Sequence, residues 1–241
     1  MTANTNHPTI LLIPGHWLGA WAWDEVVQHL TARGLRATAL TLPGLDEADP
    51  DRASRTLDEQ VAAIEQRIAA DTEPVVIVAH SGANAPVTLV LDRHPERVSR
   101  VVWVDSGPAA PGMAFAPDFP EGEEGLPLPP FEVLAQQASI DGLSADMLER
   151  FRARAVPEPG PVLRRTVELA NNARFDVPTT FVCCSMPSAQ VQELAEAGHP
   201  MFAEVGRFTC VDYIDLPTGH WPMWSRPADL ARVLAAGPAA G

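Results

Sequence analysis

Two side chains frame the chemistry open to this sequence: Ser81 near the middle and His220 near the end. Ser81 stands in Ala79-His80-Ser81-Gly82-Ala83, a small-x-Ser-x-small string. Val75 to Ala79 is a continuous, largely β-branched run, the mark of a strand buried on both faces of a parallel sheet. Val87 to Leu91 reads as a helix that His94-Pro95 ends. A serine at so sharp a strand-to-helix turn has its hydroxyl lifted above the sheet edge by a strained backbone. Only small residues fit two places before and after it, here Ala79 and Ala83. An ordinary turn with a capping serine uses the same residue types, so the flanking strand and helix carry the weight. Of the seven histidines, only His220, in Thr218-Gly219-His220-Trp221, lies in a loop directly beyond a strand end. Its alternative is a satisfied surface-loop histidine. A serine with an imidazole base performs acyl transfer, which also needs a group to orient the imidazole and donors for an oxyanion. His80 should point the other way into the fold and is read as structural, as are His7, His29, His94 and His199.

The elements around these residues alternate. Thr9 to Ile13 is a buried strand stopping at Pro14-Gly15, followed by a helix through Val26, Val27 and Leu30 that closes near Gly34. Leu35 to Leu42 reads as the next strand. Thr56-Leu57-Asp58-Glu59 has the form of a capping box, with Val61, Ile64 and Ile68 on one helical face. After the serine unit, Val98 to Val104 is another apolar strand, ending at Asp105-Ser106-Gly107. This rhythm predicts an α/β fold with a mostly parallel, doubly wound sheet. It breaks at Pro108. Helices are expected around Phe131 to Ala138, Ser144 to Ala155 and Pro161 to Asn171, with no strand before Thr179. Residues 1–107 and 178–241 therefore read as the core, and 108–177 as a helical lid inserted over the carboxyl edge of the sheet. The rhythm resumes with Thr179 to Cys184, a helix near Ser188 to Ala197, the last strand at Phe208 to Leu216, and a helix from Pro227 to about Ala236.

Composition narrows the partners. The chain has 241 residues, 46% hydrophobic and 20% charged, enough for one sizeable core. A formal net charge of -14 argues against nucleic acid or an anionic membrane surface as a partner. No run is long enough to span a bilayer, and the polar start, part of a frayed leader over residues 1–8, lacks the regions of a signal peptide. Cys183, Cys184 and Cys210 sit in apolar strand-like runs and read as free thiols in a reducing, cytoplasmic compartment. No metal-ligand spacing, phosphate loop or dinucleotide fingerprint is present, so no metal and no cofactor is expected.

From end to end the chain resembles the α/β-hydrolase superfamily, most closely the small cofactor-free group that includes methylesterases and hydroxynitrile lyases. That group runs its first strand into a His-Gly-x-x-x-Gly-x-Trp loop, which here is Pro14-Gly15-His16-Trp17-Leu18-Gly19-Ala20-Trp21, with proline in the histidine's place. The resemblance implies an oxyanion hole built from the backbone N–H groups of His16 and Gly82. The His16 side chain is then free to line the pocket. Trp17 and Trp221 are read as pocket lining, Trp21 and Trp23 as core. The usual triad acid follows the strand at Thr180 to Cys184, but there the sequence reads Ser185-Met186-Pro187-Ser188-Ala189-Gln190, without a carboxylate. Some lipases of the superfamily place the acid one strand earlier, where Asp105 stands. Its alternative is a structural carboxylate capping the turn through Ser106-Gly107. Asp215 is a third choice, too close to His220 along the chain to reach its ring easily.

The expected function is a serine-dependent hydrolase of a small, largely apolar ester, thioester or lactone, with catalytic Ser81, His220 and Asp105. The expected partner is a small-molecule substrate, with a homodimer left open as the assembly. Two other readings stay open: a cofactor-free lyase or cyclase using His220 as base, and a ligand-binding module with a weakened triad. Fold alone does not separate them.

Overall fold

The apolar runs of the sequence become strands because they can bury both faces at once. A computed structural model describes residues 7–237, so most of the expected leader lies outside the described residues. The first strands are β1 (Ile10–Ile13), β2 (Ala37–Ala39), β3 (Val75–His80) and β4 (Val98–Val104). A separate antiparallel pair, β5 (Gly125–Leu126) and β6 (Glu158–Pro159), precedes β7 (Thr179–Cys183) and β8 (Val211–Asp215). The main sheet has six strands in the order β2-β1-β3-β4-β7-β8, every pairing parallel. The order reverses between β1 and β3. Open α/β sheets bind ligands beyond the carboxyl ends of the strands at such a point.

Alternation along the strands feeds two cores. Leu11, Ile13, Ile77, Ala79, Val101 and Trp103 face one side. There they meet α2 (Leu57–Ala69), α3 (Asn84–Arg93) and, further on, α7 (Ser188–Glu196). Ile10, Leu12, Val76, Val78, Val102 and Val104 face the other, against α1 (Asp24–Thr31). The capping box of α2 forms as expected: Thr56 Oγ1 accepts the Glu59 N–H, and the Glu59 carboxylate accepts the Thr56 N–H at 2.8 Å. After β8 come α8 (Pro222–Ser225) and α9 (Pro227–Ala235), whose Leu230 and Leu234 join the second core. Among the described residues no helix is long and apolar enough to cross a membrane.

Residues 108–177 hold α4 (Phe131–Leu134), α5 (Ala145–Arg154) and α6 (Gly160–Arg164). Two details depart from expectation. The β5–β6 pair is too short to leave an alternating signature. α6 stops at Arg164 instead of reaching Asn171, because Val167 is drawn into the core and pairs its backbone with Met113 and Gly112 at 2.8 Å. At the sheet edge β2 covers only Ala37–Ala39, since its one partner is the four-residue β1. β8 starts at Val211 because Phe208 turns instead to stack edge-on against Phe175, 5.3 Å between ring centroids.

The insertion returns to the sheet through a buried ion cluster. Arg174, 3% exposed, donates to Asp92 (3.2 Å), to Glu204 (2.9 Å) and to the Asn171 carbonyl (2.7 Å). Asp92, at the end of α3, also accepts the N–H groups of Ala170 and Asn171. Removing the cation leaves the Asp92 carboxylate buried without a counter-charge and Glu204 with Arg207 alone, at 2.9 Å. Arg174→Met should therefore cost about 3–5 kcal/mol, read as a lower denaturant midpoint at unchanged slope. A loss below about 1 kcal/mol would show that the cluster behaves like a surface ion pair.

Candidate active site

The carboxyl ends of β1, β3 and β4 each end in a sharp turn. Among the described residues three non-glycine residues have positive φ, and all three stand here: Trp17 (66°), Ser81 (50°) and Asp105 (44°). At Ser81 the chain leaves β3 and bends at once into helical turns leading to α3. Ala79 and Ala83 flank it, both fully buried. Ser106 Oγ donates to the Ser81 carbonyl at 2.8 Å and steadies the bend. Gly15 explains how the loop after β1 comes so near: a Cβ on it would lie 2.7 Å from Ser81 Cβ and 2.9 Å from the His80 carbonyl. That approach sets the His16 ring over Gly82.

His220 is held by all of its polar groups. Its ring Nε2 lies 2.8 Å from Ser81 Oγ and its Nδ1 lies 2.6 Å from Asp105 Oδ2. A carboxylate only accepts, so Nδ1 carries the proton and Nε2 is free to accept from the serine hydroxyl. The His220 N–H donates to the Ser139 carbonyl at 2.7 Å, and the His80 ring donates from Nε2 to the His220 carbonyl at 2.7 Å. Gly219 permits the first of these contacts, since a Cβ there would lie 2.5 Å from the Asp141 carbonyl and 2.7 Å from that of Ser139. His80 is thus a buried prop beneath His220. Burial, with the charge of His220 second, lowers its pKa to about 3, so it stays neutral. None of His7, His29, His94 and His199 lines the cavity described below.

Asp105 turns away from the cap position left open for it. Its Oδ1 accepts the N–H groups of Cys184 (3.0 Å) and Ser185 (2.9 Å), and its Oδ2 accepts Ser185 Oγ (2.6 Å) as well as His220. Burial opposes its charge. The hydrogen bond and charge of His220 and the donors of Ser185 outweigh burial and hold the carboxyl at about 2. Ser185 occupies the place after β7 where the resemblance implies an acid, and it donates instead to Asp105, one strand earlier. Asp215 is engaged elsewhere, accepting from Ser188 N–H and Oγ at 2.7 and 2.8 Å.

A cavity of about 540 Å³ opens over these groups, with His16, Trp17, Ser81, Gly82, Asp105, His220 and Trp221 in its wall. The insertion contributes Met113, Phe115, Leu134 and Gln137 among others. Trp221 is almost wholly buried and stands edge-on to the His220 ring, 4.9 Å between centroids. Trp23 is fully buried. Trp21 differs from the core expectation: it is half-buried, stacked on Trp224 and covered by Arg154 and Arg150, which pins α5 to the sheet domain. Cys183 lines the cavity floor, but burial pushes its thiol up to about 12, so it is no nucleophile at neutral pH. Among the described residues no group of three or more His, Cys, Asp or Glu is placed to hold a metal ion.

Sequence reasoning missed the latch on Trp17. Its indole N–H donates to the Leu126 carbonyl at 2.9 Å and its carbonyl accepts the Val156 N–H at 3.0 Å. The β5–β6 pair thereby grips the loop after β1 from the far side. Nearby, the buried carboxyl of Glu158 in β6 takes Gln60 Nε2 at 3.2 Å. Two-residue strands and a lone glutamate leave no sequence signal. Burial raises the Glu158 carboxyl to about 7.

Comparison with known proteins agrees with this architecture. Residues 10–233 match the family described as the alpha/beta hydrolase family. A probable hydrolase of Phoma sp. is 26% identical over 95% of this chain and 97% of its own length. An esterase of Oryza sativa subsp. japonica is 37% identical over 102 residues, which span 39% of this chain and 37% of that protein. Among solved structures, a methylesterase from Arabidopsis has a TM-score of 0.73, at 16% identity over 95% of this chain and 97% of its own, a likeness of fold.

Glu158 makes stability depend on pH with a definite sign. Its carboxyl keeps its proton up to about pH 7 when folded, against an ordinary value of 4.5. Between those values the folded state binds more protons, so stability falls as pH rises through that window. The full effect is about 3 kcal/mol. Glu158→Gln cannot ionise. Its stability relative to the parent should therefore rise by about 2–3 kcal/mol between pH 4 and pH 8, measured by denaturant unfolding at each pH. Parallel curves across that range would contradict the assignment.

Proposed function

The chain belongs to the α/β-hydrolase family, and on that premise we propose that it is a serine-dependent hydrolase of a small, largely apolar carboxylic ester, thioester or lactone. The observation that carries the reading is the unbroken line of hydrogen bonds from Ser81 through His220 to Asp105, at 2.8 and 2.6 Å, on the wall of a cavity. Ser81 Oγ attacks the scissile carbonyl while His220 Nε2 takes its proton. Asp105 remains ionised, keeps the proton on Nδ1 and stabilises the imidazolium. The backbone N–H groups of His16 and Gly82 receive the negative charge on the carbonyl oxygen. Collapse of the tetrahedral intermediate expels the leaving group, which takes the proton from Nε2. Water then repeats the sequence on the acyl-enzyme, with His220 as base and Ser81 as leaving group.

Residues 108–177 complete the proposal as a lid over the core of 1–107 and 178–241, since they supply the outer wall of the cavity. No cofactor takes part. The buried free thiols of Cys183 and Cys184 suit a reducing, cytoplasmic setting.

Turnover of a short-chain aryl ester tests this reading. Ser81→Ala should abolish hydrolysis, a loss on the order of 10⁶ in kcat, because nucleophile and base act as a unit. Asp105→Asn should cost about 10⁴ with the fold intact, since an amide no longer fixes the imidazole tautomer. Activity of Ser81→Ala within a few-fold of the parent would exclude the covalent route and favour a lyase or cyclase in which His220 alone acts as base.

A further inference from the structure

The His16 ring occupies an unusual position. A Cβ on Gly82 would lie 2.2 Å from its Nε2 and Cδ2, so the imidazole fills the room that any side chain at 82 would take. It is nine-tenths buried, lines the cavity and stands edge-to-face with Phe115 at 4.3 Å between centroids. Among the described residues neither ring nitrogen makes a hydrogen bond. Burial, with repulsion from His220 second, lowers its pKa to about 4, so at neutral pH the ring offers one N–H donor and one nitrogen acceptor. Ser106 and Ser185 share the wall, but their hydroxyls are committed to the Ser81 carbonyl and to Asp105.

A buried imidazole without partners is costly once substrate displaces water from the cavity, unless the substrate supplies the missing partner. The expected site fixes which part of the substrate that is. With the carbonyl oxygen within about 3 Å of the His16 and Gly82 N–H groups, the ring over Gly82 faces atoms one or two bonds from the scissile carbon. The leaving oxygen must face His220, which protonates it. What meets the His16 ring therefore belongs to the acyl side.

We propose that the His16 imidazole is a specificity-determining group that hydrogen-bonds a polar substituent, a hydroxyl or carbonyl, on the α-carbon of the substrate's acyl part. The substrate class is then the ester of a 2-hydroxy or 2-oxo acid with an otherwise apolar chain. The inference rests on the hydrolase reading in one respect, the seating of the acyl carbonyl between Ser81 and the two N–H groups.

Binding to the Ser81→Ala protein separates the two. The matched ligands are benzyl 2-hydroxyhexanoate, as each enantiomer, and benzyl hexanoate, titrated by calorimetry. One enantiomer of the hydroxy ester should bind at least about tenfold more tightly than the plain ester. Adding His16→Phe, which keeps an aromatic ring over Gly82 without nitrogens, should bring the ratio near one. His16→Gln, which restores a donor and an acceptor, should recover part of it and serves where the phenylalanine variant does not fold. Equal affinities in the Ser81→Ala protein, or a preference that survives His16→Phe, would overturn the proposal. If the parent binds with the expected preference yet hydrolyses neither ester, the hydrolase reading fails while this inference stands.

Discussion

Among the described residues three other than glycine hold a left-handed backbone, Trp17, Ser81 and Asp105, and each stands just beyond the carboxyl end of a different strand of one sheet. Such a conformation costs of order 1–3 kcal/mol per residue and persists only where the surroundings over-determine it. Each kink here has its own restraint. Trp17 is gripped through its indole and its carbonyl by Leu126 and Val156. The Ser81 carbonyl is taken by Ser106 Oγ. Asp105 gives its N–H to the Val182 carbonyl at 2.9 Å, while its carboxylate gathers two further N–H groups, a hydroxyl and an imidazole. With the kinks in place, His16, Trp17, Ser81 and Asp105 all line one cavity.

The electrostatics follow from the same packing. Of the buried ionisable groups near His220, His16 and His80 are kept neutral by burial, and only Asp105 is held firmly charged. A single fixed negative charge thus faces the imidazole on the side away from Ser81. The insertion takes part as well, since the Ser139 carbonyl anchors the His220 N–H through a gap that Gly219 leaves open. The insertion and His220 are therefore mechanically joined.

Much of this was legible in residue types. The β-branched run before Ser81, the small residues around it and the loop position of His220 each follow from a local physical constraint. The structure brings Ser81 and His220 within hydrogen-bond distance. Asp105 was legible only through the family resemblance, because a carboxylate at a strand end has two ordinary uses. What decided between them was Ser185, whose N–H and hydroxyl turn the carboxylate toward His220. The latch from Leu126 and Val156 to Trp17, the prop from His80 to the His220 carbonyl and the His16 ring over Gly82 were not legible. They depend on contacts between segments far apart in sequence, and periodicity carries no trace of them. The length of α6 was misread for a similar reason: Val167 bonds to Met113, and a local helical pattern yields to that tertiary pairing.

The central claim is that the strained turn presents Ser81 as a nucleophile activated by His220 and Asp105. Covalent labelling tests it most directly. The protein is treated with an aryl phosphonate that reacts with activated serines, and the adduct is mapped by peptide mass spectrometry. The account predicts one phosphonate per chain, on Ser81, with labelling slowed by orders of magnitude in His220→Ala and Asp105→Asn. Absence of labelling at Ser81 in the folded protein, or labelling at an undiminished rate in both variants, would contradict it.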